Sequence, residues 1–90
     1  MWIVKEHRKV EKIIEKAPKK VKENYVAWKR IIELQGPVGL RNIRGFNDEK
    51  LKGQWKGFRS SRLDYQWRVI YTYEKDVFTV YVIEVTPHQY

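Results

Sequence analysis

Two arginines occupy facing positions in a predicted β-hairpin, where their chemistry would be anion binding. The segment Arg62-Leu-Asp-Tyr-Gln-Trp-Arg68 places three turn residues, 64–66, between two runs of β-type residues. A tight turn there pairs Leu63 with Trp67 on one face of the hairpin. Arg62 then lies opposite Arg68 on the other face, where like charges repel unless an anion lies between them. Guanidinium groups bind phosphate oxygens in a bidentate manner, so an external phosphate is one candidate.

The alternative is that the protein supplies its own anion. Continuing the antiparallel register past the next turn puts Glu84 on the same face as Arg68 and diagonal to it. Glu84 would then make a structural ion pair, and this segment alone favours neither interpretation.

Charge distribution indicates that the partner is a polyanion. The chain carries 19 Lys and Arg against 11 Asp and Glu, a formal net charge of +8. Residues 69–90 contain only one of those 19 basic residues, so the excess lies before the last third of the chain. Such asymmetry is typical of a surface that binds nucleic acid. Double-stranded DNA is disfavoured, because neither predicted helix offers a recognition face free of core residues.

Composition also limits the cofactors and the location. The absence of cysteine and the presence of only two histidines disfavour thiolate and structural zinc sites, so we expect neither a metal nor another cofactor. The apolar run Met-Trp-Ile-Val at the N-terminus is too short for a signal peptide or a membrane span. We therefore expect a cytoplasmic protein that does not bind a membrane.

Hydrophobic periodicity predicts the elements that hold the arginines. Helical spacing of apolar residues predicts helices over 8–17 and from Pro18 to Gln35, ended by Gly36-Pro37. Residues 38–56 form a long connection with a short strand or turn. A strand is predicted over Trp2–Lys5, and a three-strand meander follows at the end of the chain: Gly57–Leu63, Trp67–Tyr73 and Val77–Val85.

These elements predict one domain over residues 1–90. The order is β-α-α-β-β-β, an α+β fold in which a helical hairpin packs on one side of a curved antiparallel sheet that the first strand joins. The predicted core includes Trp2, Trp28, Trp67, Tyr71 and Tyr81, together with Trp55 and Phe58.

Four segments share a common pattern with one protein family: Asp48–Arg59, Ser61–Leu63, Trp67–Tyr71 and the terminal Val85-Thr-Pro-His-Gln-Tyr90. Each is short, but together with the helical hairpin they cover nearly the whole domain. In their order and spacing they resemble the RelE/StbE family of bacterial toxins, the mRNA interferases of type II toxin–antitoxin modules.

The resemblance implies a RelE-like fold, an endoribonuclease activity and a set of partners. The expected substrate is mRNA, cut in the ribosomal decoding site, and the expected inhibitor is a cognate antitoxin. DNA would be contacted only indirectly, through that antitoxin. The alternative is a non-catalytic RNA- or ribosome-binding module, an inactive relative of the toxins.

Metal-free RNA cleavage requires the 2′-hydroxyl to attack the adjacent phosphate, which assigns roles to particular residues. Arg62 and Arg68 would stabilise the charged phosphorane. His88, just beyond the last predicted strand, and the terminal Tyr90 would carry protons. Without the resemblance, His88 is better explained as an exposed histidine of the tail. Glu49 is a further candidate base, although its Asn-Asp-Glu setting favours a turn or cap.

The basic residues just before the hairpin, Lys52, Lys56 and Arg59, would contact RNA or ribosomal phosphates. Trp55, Phe58 and Tyr65 could stack on unpaired bases; core packing is favoured for Trp55 and Phe58, and Tyr65, at the tip of the turn, is the better stacking candidate. His7 is predicted to lie at the surface without a catalytic role.

Overall fold

The computed structural model describes residues 1–87, and the polypeptide there forms a mixed α+β fold. Two helices follow the first strand, an irregular segment leads to the rest of the sheet, and no helix of the described chain could cross a bilayer. The elements are β1 (Ile3–Glu6), α1 (Arg8–Glu15), α2 (Lys19–Gln35), β2 (Glu49–Lys50), β3 (Arg59–Arg62), β4 (Arg68–Glu74) and β5 (Thr79–Thr86).

The two helices confirm the predicted hairpin and bury the residues that the helical spacing selected. Pro18 is the N-cap of α2; its side chain makes no capping hydrogen bond, and its carbonyl accepts from the Lys22 N–H at 3.1 Å. Gly36 ends α2 with φ of 77°, a conformation that glycine adopts without steric cost. Helix α1 ends at Glu15, two residues earlier than predicted. The buried apolar stripe of α2 is Val21, Tyr25, Trp28 and Ile32.

The sheet has the order β1-β5-β4-β3-β2 and confirms the antiparallel meander of β3, β4 and β5. Two predictions about it were incomplete. Strand β1 joins β5 in parallel, so the sheet is mixed rather than antiparallel, and β2 adds a two-residue strand at the far edge. Strand β5 begins at Thr79 rather than Val77, because Phe78 adopts a left-handed conformation (φ 47°) after a short 3-10 turn.

The main core lies between the helices and one face of the sheet. Trp28 and Tyr71 are fully buried there, and Trp2 and Trp67 pack against the cluster, as predicted. Tyr81 is only partly buried and lies outside this core. The prediction was also wrong for Trp55 and Phe58, which form a separate edge-to-face pair with ring centroids 5.5 Å apart.

The opposite face of the sheet is partly covered as well. Ile70 is fully buried, yet it does not belong to the core cluster beneath the helices. Its direct neighbour on β3, Ser60, is only 4% exposed. The sheet therefore has a second, sheltered surface on which the candidate site is built.

Candidate RNA-binding and catalytic site

Register places the two arginines as predicted. Arg62 on β3 pairs directly with Arg68 on β4. Beyond them the Leu63 N–H donates to the Trp67 carbonyl at 2.9 Å, which closes the predicted turn over residues 64–66. Because directly paired residues of antiparallel strands project from the same face, both guanidinium groups leave the sheet on one side.

Two rows of paired residues form this face of the sheet. One row runs across three strands through Arg62, Arg68 and Thr86. The adjacent row crosses four strands and has a glutamate at each end: Glu49, Ser60, Ile70 and Glu84. The register therefore puts one carboxylate diagonal to each arginine, and the predicted position of Glu84 is confirmed.

Neither arginine is fully satisfied within residues 1–87. The Nε atom of Arg62 and the Nη1 atom of Arg68 are buried and have no hydrogen-bond partner there. A buried donor left unpaired costs about 1–3 kcal/mol, so an anion that reaches both groups is favoured. Glu84 instead makes an ion pair with Lys9 of α1, with Nζ 3.7 Å from Oε1.

An open pocket of about 390 Å³ adjoins the arginine pair. Its wall includes Tyr65, whose 84% exposure at the tip of the turn leaves the ring free to stack on a ligand. The remaining lining residues are Arg62, Gln66, Arg68 and Pro87. Within residues 1–87 the lining has two cations and no acidic residue, which suits a phosphate-bearing ligand.

A buried carboxylate holds β3 to β4 on the face opposite the arginines. The side chain of Asp48 is fully buried and accepts hydrogen bonds from Arg59 at 2.8 Å, Ser61 at 2.7 Å and Tyr71 at 2.5 Å. Asn24 of α2 adds a second anchor, since its Nδ2 donates to the Leu63 carbonyl at 2.6 Å. Together these contacts fix the end of the hairpin that carries the arginine pair.

This hub changes the acid–base properties of its members. Burial and the neighbouring Asp48 carboxylate raise the pKa of the Tyr71 hydroxyl above its ordinary value. Burial acts to lower the pKa of Arg59, but its hydrogen bond and ion pair with Asp48 outweigh burial and raise that pKa. Arg59 is thus committed to an internal carboxylate, which weakens the hypothesis that it contacts RNA.

Lys52 and Lys56 lie away from the arginine pair, in the loop between β2 and β3. Both are exposed and line a separate pocket, so the structure does not bring them together with Arg62 and Arg68. The other two predicted catalytic residues, His88 and Tyr90, lie outside the described residues.

The structure also places Glu49, the further candidate base, and His7, which was predicted to have no catalytic role. Glu49 lies in β2 rather than in the turn or cap that was favoured for it; Asn47, with φ of 43°, makes the turn instead. His7 is exposed, as predicted, and caps α1 by accepting a hydrogen bond from the Lys9 N–H at 3.2 Å.

Sequence reasoning missed Asp48, Asn24 and Lys9 as residues that support the site. Asp48 stood in the segment that carries the family resemblance, but a lone aspartate after an asparagine gives no signal of a buried hub. Lys9 is an exposed lysine like its neighbour Lys12, and its ion pair with Glu84 follows from the pairing of β1 with β5, which no local pattern indicates. Among residues 1–87, no group of three or more His, Cys, Asp or Glu side chains could hold a metal ion.

Comparison with solved structures identifies the fold. An archaeal RelE from a complex with RelB of Pyrococcus horikoshii OT3 is 26% identical, with a TM-score of 0.76 over 96% of this chain and 93% of that one. The chain has the fold of the RelE-family toxins. The resemblance noted in the sequence is therefore confirmed at the level of structure, although no family model and no curated protein matches.

More distant members of the RelE group share the same fold. A YoeB toxin from the heterotetrameric YoeB–YefM complex of Staphylococcus aureus is 16% identical, with a TM-score of 0.73 over 100% of this chain and 99% of that one. A YoeB/ParE toxin from Agrobacterium tumefaciens is also 16% identical, with a TM-score of 0.75 over 98% of this chain and 99% of that one. The RelE-like fold thus accounts for the whole described chain, from β1 to β5.

Proposed function

We propose that this chain is the toxin of a type II toxin–antitoxin module and a metal-independent endoribonuclease that cuts mRNA on the ribosome. The observation that carries the proposal is the directly opposed pair Arg62 and Arg68, each with a buried nitrogen that has no partner in residues 1–87. The RelE-like fold supports the same conclusion, because the solved structures with this fold are toxins.

Attack by the ribose 2′-hydroxyl on the adjacent phosphorus forms a bond to phosphorus and breaks the bond to the 5′-oxygen. The products are a 2′,3′-cyclic phosphate and a new 5′-hydroxyl. Negative charge increases on the phosphoryl oxygens in the transition state. Arg62 and Arg68 would bind those oxygens from two sides with fixed donors, which is the electrostatic contribution that such a reaction needs.

The proton transfers require one group that accepts the 2′-hydroxyl proton and one that protonates the leaving oxygen. We assign proton transfer to His88 and Tyr90, which come two and four residues after the last residue of β5 in the sequence. Glu49 is a further acceptor, because it projects from the same face as Arg62 and diagonal neighbours on adjacent strands are about 7–8 Å apart.

The proposed inhibitor is an antitoxin with an acidic, flexible segment. Two of the solved relatives are toxin–antitoxin complexes, RelE with RelB and YoeB with YefM. A chain with a net charge of +8 attracts an acidic partner, and carboxylates could occupy the arginine pair in the stored complex.

The test is expression of Arg68→Ala, with Arg30→Ala as the matched control. Arg30 lies on the exposed side of α2, where its side chain is 66% exposed, so its removal changes net charge by the same amount. Arg68→Ala should abolish growth arrest and the cut ends mapped in translated messages, while Arg30→Ala keeps both. A folded Arg68→Ala protein that still arrests growth would contradict the assignment.

Variants of the two terminal residues separate catalysis from binding. His88→Ala and Tyr90→Phe should lower cleavage more than they lower ribosome binding. An equal loss of cleavage and binding would mark His88 and Tyr90 as binding groups. Growth arrest by the wild type without codon-phased cuts would favour the non-catalytic RNA- or ribosome-binding module instead.

A further inference from the structure

A second basic pocket lies at the end of β4 away from the arginine pair. It is bounded by the loop between β2 and β3 and by Thr72 and Tyr73, and its volume is about 540 Å³. Thr72 is four residues beyond Arg68, which along a strand corresponds to about 13 Å. This pocket and the arginine pair are therefore separate places on the molecule.

One backbone and one side-chain hydrogen bond hold the loop that bounds the pocket. The Leu51 N–H donates to the Phe58 carbonyl at 3.0 Å, and the hydroxyl of Thr72 donates to the Gly57 carbonyl at 3.0 Å. Gly57 has φ of 96°, and no atom lies within 4 Å of the position that a Cβ would take there. The loop thus leaves its backbone open to close approach by a ligand.

The charges and aromatic rings that line the pocket indicate which class of ligand it binds. Lys50, Lys52 and Lys56 line the pocket, all three are exposed, and none of them makes an ion pair with residues 1–87. The lining has no acidic side chain. Partly buried Phe58 and Tyr73 add aromatic rings to the lining.

We infer that this pocket binds one unpaired nucleotide of an RNA, with its base against Phe58 and its phosphates on Lys52 and Lys56. Lysines beside aromatic rings are the usual means by which proteins hold single-stranded RNA without reading a duplex groove. The volume is within the range of pockets that enclose a ligand of nucleotide size. The choice of RNA as the ligand rests on the proposed function, and the site adds a contact point beyond the scissile phosphate.

The probe is a labelled 2′-O-methyl RNA pentamer, which cannot be cut because it has no free 2′-hydroxyl. Its binding is compared with that of a pentamer of the same charge whose positions are all abasic. The wild type should bind the base-bearing pentamer about tenfold more tightly. Phe58→Leu should reduce that preference without weakening the binding of the abasic pentamer, because leucine keeps the apolar volume and removes only the aromatic face, while Tyr65 keeps its own stacking contact.

The lysines are tested through the salt dependence of binding. Each phosphate contact on a single strand contributes about 0.7 to the magnitude of the slope of log K against log salt concentration. Lys52→Ala/Lys56→Ala should therefore reduce the magnitude of that slope by about 1.4. Lys12→Ala/Lys16→Ala, in α1 and at its C-cap, removes the same charge from exposed positions and should leave the slope unchanged. Because Lys52 and Lys56 are exposed, their removal tests the pocket even if Phe58→Leu destabilises the fold.

Three outcomes would overturn the inference: equal effects of the two lysine pairs, no base preference in the wild type, or equally tight binding of an acidic peptide at the same pocket. The last would indicate a protein segment as the ligand. Failure of the proposed function would be seen in a different experiment. A toxic Arg68→Ala protein contradicts the nuclease assignment, whether or not Phe58→Leu changes pentamer binding.

Discussion

Arg62 and Arg68 are directly paired across the β3–β4 hairpin, and one buried nitrogen of each has no hydrogen-bond partner in residues 1–87. Like charges directly opposite each other destabilise a sheet, and unpaired buried donors add to that cost. Of the two carboxylates diagonal to the pair, Glu84 makes an ion pair with Lys9, and Glu49 makes no ion pair with residues 1–87. The hairpin therefore holds two cations in an arrangement that a bound anion would stabilise.

The first prediction is that phosphate stabilises the protein through this pair. At ten times its Kd, a ligand that binds only the folded state adds about 1.4 kcal/mol, which raises Tm by about 6–11 °C in a domain of this size. Arg62→Gln/Arg68→Gln should lose this response and, without phosphate, be as stable as the wild type or more so. Thermal unfolding in phosphate and in sodium chloride of equal ionic strength measures both effects.

Arg30→Gln/Arg41→Gln, which removes two positive charges from exposed positions, is the control and should keep the full response to phosphate. If the double arginine variant responds as strongly as the wild type, phosphate binds elsewhere and the arginine pair is not the anion site.

The second prediction concerns Glu49 as a proton acceptor. Glu49 makes no hydrogen bond or ion pair through its side chain with residues 1–87, whereas Glu84 is paired with Lys9. A free carboxylate on the same face as Arg62 can accept a proton from the 2′-hydroxyl. Glu49→Gln should lower kcat on programmed ribosomes by about 10²–10⁴-fold, as loss of a general base does, with little change in KM.

Glu84→Gln is the matched control and should lower kcat much less. A larger effect at Glu84 than at Glu49 would transfer the proton role to Glu84. A change confined to KM would show that Glu49 only binds substrate.

The third prediction tests the junction between α2 and the first strand. A Cβ at Gly36 would lie 2.6 Å from Nε1 of Trp2, and φ there is 77°. Gly36→Ala should therefore lower the free energy of unfolding by about 1–3 kcal/mol or more. Gly45→Ala, where no atom lies within 4 Å of the added methyl group, should change it by less than about 1 kcal/mol; urea unfolding compares the two.

Local patterns made much of the fold predictable. The α2 stripe, including Trp28 and Ile32, repeats at helical spacing, and the meander carries β-branched residues between recognisable turns. Partner choice between distant strands has no such local signal. The parallel pairing of β1 with β5 joins residues about 76 positions apart, as in Ile3 with Thr79, and β2 is too short to show a period.

The same distinction explains which parts of the site were predicted. Arg62 and Arg68 are six residues apart, so one turn fixes their relation and the sequence sufficed. The Asp48 hub joins Asp48 to side chains that lie 11 residues (Arg59) and 23 residues (Tyr71) further along the chain. It depends on how the irregular segment before β2 places Asp48 against the sheet. For Trp55 and Phe58 core packing was favoured over base stacking, but an aromatic side chain in the sequence does not indicate which layer it joins, and the two rings pair with each other outside the main core.

The last prediction follows from the raised pKa of Tyr71. Burial and Asp48 keep its hydroxyl protonated in the folded state at a pH where the unfolded chain, with a pKa near 10.0, ionises. The unfolded state then binds fewer protons, so stability falls as pH rises above about 10, by up to about 1.4 kcal/mol per pH unit for this group. Tyr71→Phe should lower the free energy of unfolding at pH 7 by about 1–2 kcal/mol, because Asp48 loses a hydrogen-bond donor. Above pH 10, the stability of this variant should fall less steeply than that of the wild type. Tyr65→Phe, at an exposed turn, is the control and should follow the wild-type curve; a Tyr71→Phe curve parallel to it would refute the coupling.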